Sequence, residues 1–176
     1  MSAPPDDCYA RALEAEQRED WETAITLVAA RAVCFSPDHL AHAHHLWHLD
    51  PLARAGRLAE LAGLADGADR ADRADRADGA DRADRADRAD RADRASGAGG
   101  DVHARRRLAR ALCERGMAAQ LRERAAAGDG GALYRLVRLL GGTGRAAQAR
   151  RVVRELGARD AYAHRLLDGF RERPDG

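Results

Sequence analysis

The sequence predicts an all-α protein built from short helical hairpins that stack on one another. Three observations carry that prediction. Strand formers are scarce, with Ile25 the single isoleucine and no run alternating apolar and polar residues. Apolar residues recur at helical spacing over most of the chain. Gly56, Gly116 and Gly144 stand where those periodic segments stop.

Each element has its local reason. DWETAI at 20–25 follows a first apolar-periodic segment. Ser36-Pro37-Asp38 supplies an N-cap, a proline suited to the first helical position and an acid in the first turn. A helix from 37 to 55 contains Pro51, which removes one backbone bond and predicts a kink. Asp101, Asp129 and Asp160 precede three further periodic segments and are N-cap candidates. A terminal helix near 161–172 closes the chain, with Leu166, Leu167 and Phe170 expected to point inward.

Setting Gly116 and Gly144 equivalent exposes a frame. Eight, seven and four residues before them stand Leu108, Ala109 and Leu112, then Leu136, Val137 and Leu140. Leu121 and Ala149 follow by five, and Ala125 and Val153 by nine. Gly56 fits with Leu49, Leu52 and Leu61. Each unit reads as helix, tight turn and helix with facing apolar stripes. One hairpin alone leaves its stripe exposed, so neighbours must stack. Four units and the terminal helix are expected.

DWETAI at 20–25, GRAAQA at 144–149 and the pattern Leu133, Leu136, Val137, Leu140, Ala149, Val153 resemble the tetratricopeptide repeat, in a degenerate form of actinobacterial type. The Gly116–Gly144 spacing of 28 is shorter than the family's about 34 residues. Leu and Ala replace the family's paired aromatics, and Val137 its small residue. The resemblance implies a right-handed α-solenoid whose first helices line a concave groove.

Residues 65–100 interrupt this pattern with an Ala-Asp-Arg tract and an SGAGG linker, separating N-terminal helical repeats at 1–64 from C-terminal repeats and a capping helix at 101–176. A period of three residues is 300° on a helical wheel, so the alanine stripe slips by about 60° per unit and no face stays apolar. Asp–Arg pairs at i, i+4 favour a helix, each by roughly 0.2–0.5 kcal/mol; like charges at i, i+3 and Gly79 oppose it. A marginal helix or a disordered segment is expected, inserted between two hairpins.

Charge and composition narrow the function. Residues 1–64 carry 5 Arg against 10 acids, residues 101–176 carry 17 Arg against 9. That asymmetry points the C-terminal half toward an acidic partner. There is no lysine, which excludes Schiff-base and phosphate-loop lysine chemistry. Serine occurs only at positions 2, 36 and 96, with no nucleophile elbow, and GDGGALYRLVRLLGGTG follows no strand. No enzyme and no cofactor are expected. Cys8, Cys34 and Cys113 form no CxxC pair and read as small buried hydrophobes. No signal peptide or 18-residue apolar span is visible, which predicts a cytoplasmic protein without membrane contact.

Two clusters are candidate sites. Register from the turn glycines places His103, Arg106, Arg107, Arg110, Tyr134, Arg135 and Arg138 on the implied groove, where guanidinium forks suit carboxylates. The expected function is a protein-interaction module for an acidic peptide or partner surface. Nucleic-acid binding through the Arg-rich half is the alternative, disfavoured by scarce aromatics. In AHAHHLWHLD, His44 and His48 share a helix face, as do His42 and His45. His44 and His48 are a weak zinc half-site, with Asp38 or Asp50 as oxygen ligands. A polar helix face is the plainer explanation, and no metal is assigned.

Overall fold

A computed structural model of the chain describes residues 7–32, 39–67 and 100–171. Among them are nine helices and no strand: α1 (Asp7–Gln17), α2 (Trp21–Ala29), α3 (His39–Ala55), α4 (Leu58–Asp66), α5 (Val102–Glu114), α6 (Ala118–Ala126), α7 (Gly130–Gly142), α8 (Ala146–Leu156) and α9 (Ala161–Arg171). The chain divides into two compact units, Met1–Leu108 and Ala109–Gly176.

One turn geometry closes four hairpins, between α1 and α2, α3 and α4, α5 and α6, and α7 and α8, and occurs once more among the described residues at Gly128 (φ 95°), between α6 and α7. In each hairpin a single residue takes the left-handed backbone: Glu19 (φ 57°), Gly56 (75°), Gly116 (68°) and Gly144 (74°). Its N–H bonds the carbonyl three residues back. The next N–H bonds the carbonyl five back, from Asp20 to Ala15, Arg57 to Leu52, Met117 to Leu112 and Arg145 to Leu140, at 2.8–3.0 Å. This pairing satisfies helix-end carbonyls, and glycine adopts it without a Cβ penalty. Glu19 holds the same conformation with a side chain.

The apolar frame follows the turns. Positions seven and four before and five and nine after the left-handed residue are buried at all four. They are Ala12, Ala15, Ala24 and Val28; Leu49, Leu52, Leu61 and Ala65; Ala109, Leu112, Leu121 and Ala125; and Val137, Leu140, Ala149 and Val153. Each fully buried Leu or Val contributes about 1.5–3 kcal/mol over its exposed state. In the first unit α1 packs on α2, α2 on α3 and α3 on α4; in the second α7 packs on α6, α8 and α9, and α8 also on α6 and α9.

Aspartates start the helices where the sequence places them. Asp129 accepts from the Ala132 N–H at 3.0 Å, Asp101 from His103 at 2.8 Å, and Asp160 from Tyr162 and Ala163 at 2.9 and 3.0 Å. Asp20, which the pattern does not single out, caps α2 through Thr23 at 3.2 Å. Ser36-Pro37-Asp38 and Cys34 lie outside the described residues.

The structure departs from the sequence at several points. α4 runs to Asp66 and ends on left-handed Gly67 (φ 79°), two residues into the segment assigned to the tract, because Ala65 fills a buried frame position. Pro51, by contrast, sits inside α3 as the sequence places it, the helix continuing past it to Ala55, and is itself fully buried. In α9 the fully buried residue is Ala163, whereas Leu166, Leu167 and Phe170 are half-buried. Small Ala163 allows α9 to approach closely, and Phe170 lies over Gly141, where an added Cβ would come within 2.5 Å of its ring. Cys8 and Cys113 are half-buried, their thiols donating to the carbonyls of Leu27 (3.2 Å) and Arg135 (3.7 Å).

The helical or disordered character expected of the tract falls on residues 68–99, outside the described residues. Its two ends, however, are stitched together. The Asp101 N–H bonds the Leu64 carbonyl at 3.1 Å, and Gly100 packs on the Ala65 carbonyl so closely that no Cβ fits. The junction between α6 and α7, which carries no insertion, is closed by the same bond, Asp129 N–H to Arg124 carbonyl at 3.0 Å. Without the 32 residues 68–99 the Gly56–Gly116 spacing falls from 60 to 28, the Gly116–Gly144 value. Residues 68–99 therefore interrupt one of two equivalent junctions, and the backbone closes across them.

Candidate functional site

The seven expected groove residues are divided between the units. In the first, the His103 N–H is taken by the Asp101 cap and Arg107 pairs with Asp50 of α3 at 3.1 Å. Arg106 is exposed. Asp50, a conceivable metal ligand in the sequence, is thus committed to Arg107.

In the second unit, Arg110 pairs along its own helix with Glu114 at 2.7 Å, and this guanidinium holds the Glu114 carboxyl below its usual range. Arg135 is half-buried, its carbonyl accepting from the Cys113 thiol. Tyr134 and Arg138 are brought together by a residue of α9. The Tyr134 and Tyr162 rings meet edge to face, with centroids 4.7 Å apart and planes at 77°. Arg138 Nη2 donates to the Tyr162 hydroxyl at 3.0 Å, and the Arg165 guanidinium lies 5.7 Å from the Tyr162 ring centroid.

Asp160 orients this cluster. Its Oδ1 caps α9, and its Oδ2 accepts from the Tyr134 hydroxyl at 2.8 Å. The Ala163 N–H, opposed by burial and joined by the Tyr134 hydroxyl and the Tyr162 N–H, holds the Asp160 carboxyl below the usual range. The same hydrogen bond to Asp160, with burial, pushes the Tyr134 phenol up, so it stays a donor. Arg138, by contrast, meets a phenol oxygen and pairs with no carboxylate among the described residues. The result is a surface of two aromatic rings and two guanidinium groups on α7 and α9, with Tyr162 39% exposed.

Tyr162 and Arg165 escaped the sequence reading because its groove was mapped only from Gly116 and Gly144, and α9 follows no such turn. The signal was present in Asp160: a cap there fixes Tyr162 in the first turn of α9 and Arg165 on the same face at i, i+3.

The histidines of α3 behave differently from one another. His45 is 2% exposed and bonds through Nε2 to Asp101 Oδ2, itself buried at 4%. Burial raises the Asp101 carboxyl, but the His45 ring and the His103 and Ala104 N–H groups outweigh it and hold the acid below its usual range. His44 and His48 are half-buried. The side chains of His39 and His42 and all of Asp38 lie outside what is described. Among the described residues no three His, Cys, Asp or Glu converge to hold a metal, and no helix is long and apolar enough to cross a membrane.

No protein-family model, curated protein or solved structure matches the chain.

Proposed function

We propose that the chain is a non-enzymatic interaction module, a right-handed stack of tetratricopeptide-like hairpins whose second unit holds an acidic peptide or an acidic partner surface. Four turns of one geometry and one apolar frame support the stack, as does the packing of α7 on α9 and of α6 on α8, the next-but-one contacts that stacked hairpins require. The acidic partner rests on one observation: Arg138 and Arg165 flank the exposed Tyr162, backed by Tyr134, with Asp160 already consumed by its cap and the Tyr134 hydroxyl. Guanidinium groups bind both oxygens of a carboxylate, and rigid aromatic rings add contact area at low entropy cost. The surrounding charge agrees, since residues 109–176 carry 14 Arg against 8 acids, a difference of +6.

The test is fluorescence anisotropy of the full chain with labelled peptides of matched length. Peptides rich in Asp and Glu should bind, and Lys-rich ones should not. R138E/R165E, with unchanged circular dichroism, should weaken binding at least tenfold. Equal binding by that variant, or preference for single-stranded nucleic acid over the acidic peptides, overturns the proposal.

A further inference from the structure

The first and last hairpins carry aromatic pairs of one build and opposite charge. Ten and six residues before the left-handed turn residue stand Tyr9 and Leu13 in α1, and Tyr134 and Arg138 in α7. Each tyrosine meets a ring two helices further along: Tyr9 meets Trp47 of α3, and Tyr134 meets Tyr162 of α9, both with centroids 4.7 Å apart. Glu16 accepts from the Trp47 indole N–H at 2.7 Å, whereas Arg138 donates to the Tyr162 hydroxyl. One ring pair is thus edged by a carboxylate and the other by a guanidinium. Both surfaces are open: Tyr9 is 55% and Leu13 42% exposed, and Tyr162 is the exposed ring of the other pair. Tyr9, Leu13 and Glu16 share one face of α1 at i, i+4 and i+7. Their charges are available too. Glu14 and Glu19 form no ion pair and Glu16 meets a neutral donor, although Glu22 is taken by Arg57 and Asp20 by its cap. Arg165 forms no ion pair, and Arg138 commits one of its N–H donors to the Tyr162 hydroxyl, leaving the rest of the fork for a carboxylate.

We propose that the acidic partner of the α7–α9 surface is a second copy of this chain. The Tyr9–Leu13–Trp47 face of one copy, edged by Glu14, Glu16 and Glu19, docks on Tyr134, Arg138, Tyr162 and Arg165 of the other. This rests on the acidic-partner reading above and names the source of the acid. Charge complementarity selects the copy. Residues 14–22 hold five acids against Arg18 alone, and residues 1–64 hold 10 acids against 5 Arg, while residues 109–176 hold 14 Arg against 8 acids. The whole chain carries a formal charge of +1, so two copies approach with little net repulsion and attract where unlike halves face. Rings at the centre with charges at the edge give the apolar core and polar rim of a protein interface. The contact joins unlike patches, so a chain that has lost one patch still offers the other.

The experiment is sedimentation velocity of the full chain over a concentration series. The unaltered chain should pass from monomer to larger species as concentration rises, and added salt should reverse this. R138E/R165E reverses the charge of one patch, and L13R/E14R, at two exposed positions, that of the other. Each variant alone, with unchanged circular dichroism, should stay monomeric at least tenfold above the concentration at which the unaltered chain associates. Mixed one to one they should associate again, because each unaltered patch finds its match and the new arginines of one meet the new glutamates of the other. An unaltered chain that is monomeric throughout, or whose association salt leaves unchanged, overturns the proposal without any variant. Association that survives R138E/R165E, or a mixture no more associated than its components, overturns it as well. A monomeric chain that still binds the Asp/Glu-rich peptide through Arg138 and Arg165 overturns the second copy and leaves the acidic-partner reading standing.

Discussion

Removing residues 68–99 should leave the fold intact and make it more stable. The excision joins Gly67 to Gly100, and every group that closes the junction is retained: the Asp101 N–H to Leu64 carbonyl bond, the Gly100 contact with Ala65 and the Asp101 cap. The spliced connection then has the spacing of the α6–α7 junction, which closes with the same bond at Asp129. Closing a chain between fixed ends costs about 0.6 kcal/mol for each doubling of its length. Shortening the connection by 32 residues spans more than three doublings, so stability should rise by roughly 2 kcal/mol. For a chain of this size that is a melting temperature higher by roughly 5–10 °C. Differential scanning calorimetry of the full and excised chains measures it, with helicity per remaining residue as the check on structure. A melting temperature lowered by several degrees, or a broadened transition, would refute the idea that the backbone closes across the tract without its help.

Other perturbations test the parts separately. H45A and D101A should each cost about 3–5 kcal/mol, since each strands a buried polar partner, and the double variant should cost clearly less than the sum; strict additivity in urea melts would deny the pair. Because the folded Asp101 carboxyl titrates below its unfolded value, its stabilisation is complete above the unfolded value of about 3.9 and is lost as pH falls through the lower folded value. D101N should therefore flatten the acid limb of a stability profile. G100A should destabilise by about 1–3 kcal/mol or more, because its Cβ collides with backbone at Ala65, whereas G142A, whose Cβ meets nothing within 4 Å, should not.

The fold was legible wherever side-chain spacing alone decides structure. Gly56, Gly116 and Gly144 announce their turns because glycine tolerates the left-handed backbone, and the apolar residues around them are buried as the frame requires. The fourth turn hid because Glu19 takes that conformation with a side chain. Only the likeness of DWETAI to a known repeat pointed there. The Tyr134–Tyr162 cluster was half legible: Tyr134 and Arg138 follow from register, but their partners arrive on α9, which only tertiary packing brings alongside α7. His45 and Asp101 lie 56 residues apart, with the tract between them. No local pattern relates them; subtracting the tract would have.

The central claim, an acidic partner on the Tyr–Arg surface of α7 and α9, is tested most directly by amide chemical-shift mapping of the full chain titrated with an Asp/Glu-rich peptide. The predicted result is saturable shifts concentrated at Tyr134, Arg138, Tyr162 and Arg165, absent in R138E/R165E. Shifts spread along the arginines of residues 68–99, or unchanged by that double substitution, would contradict it.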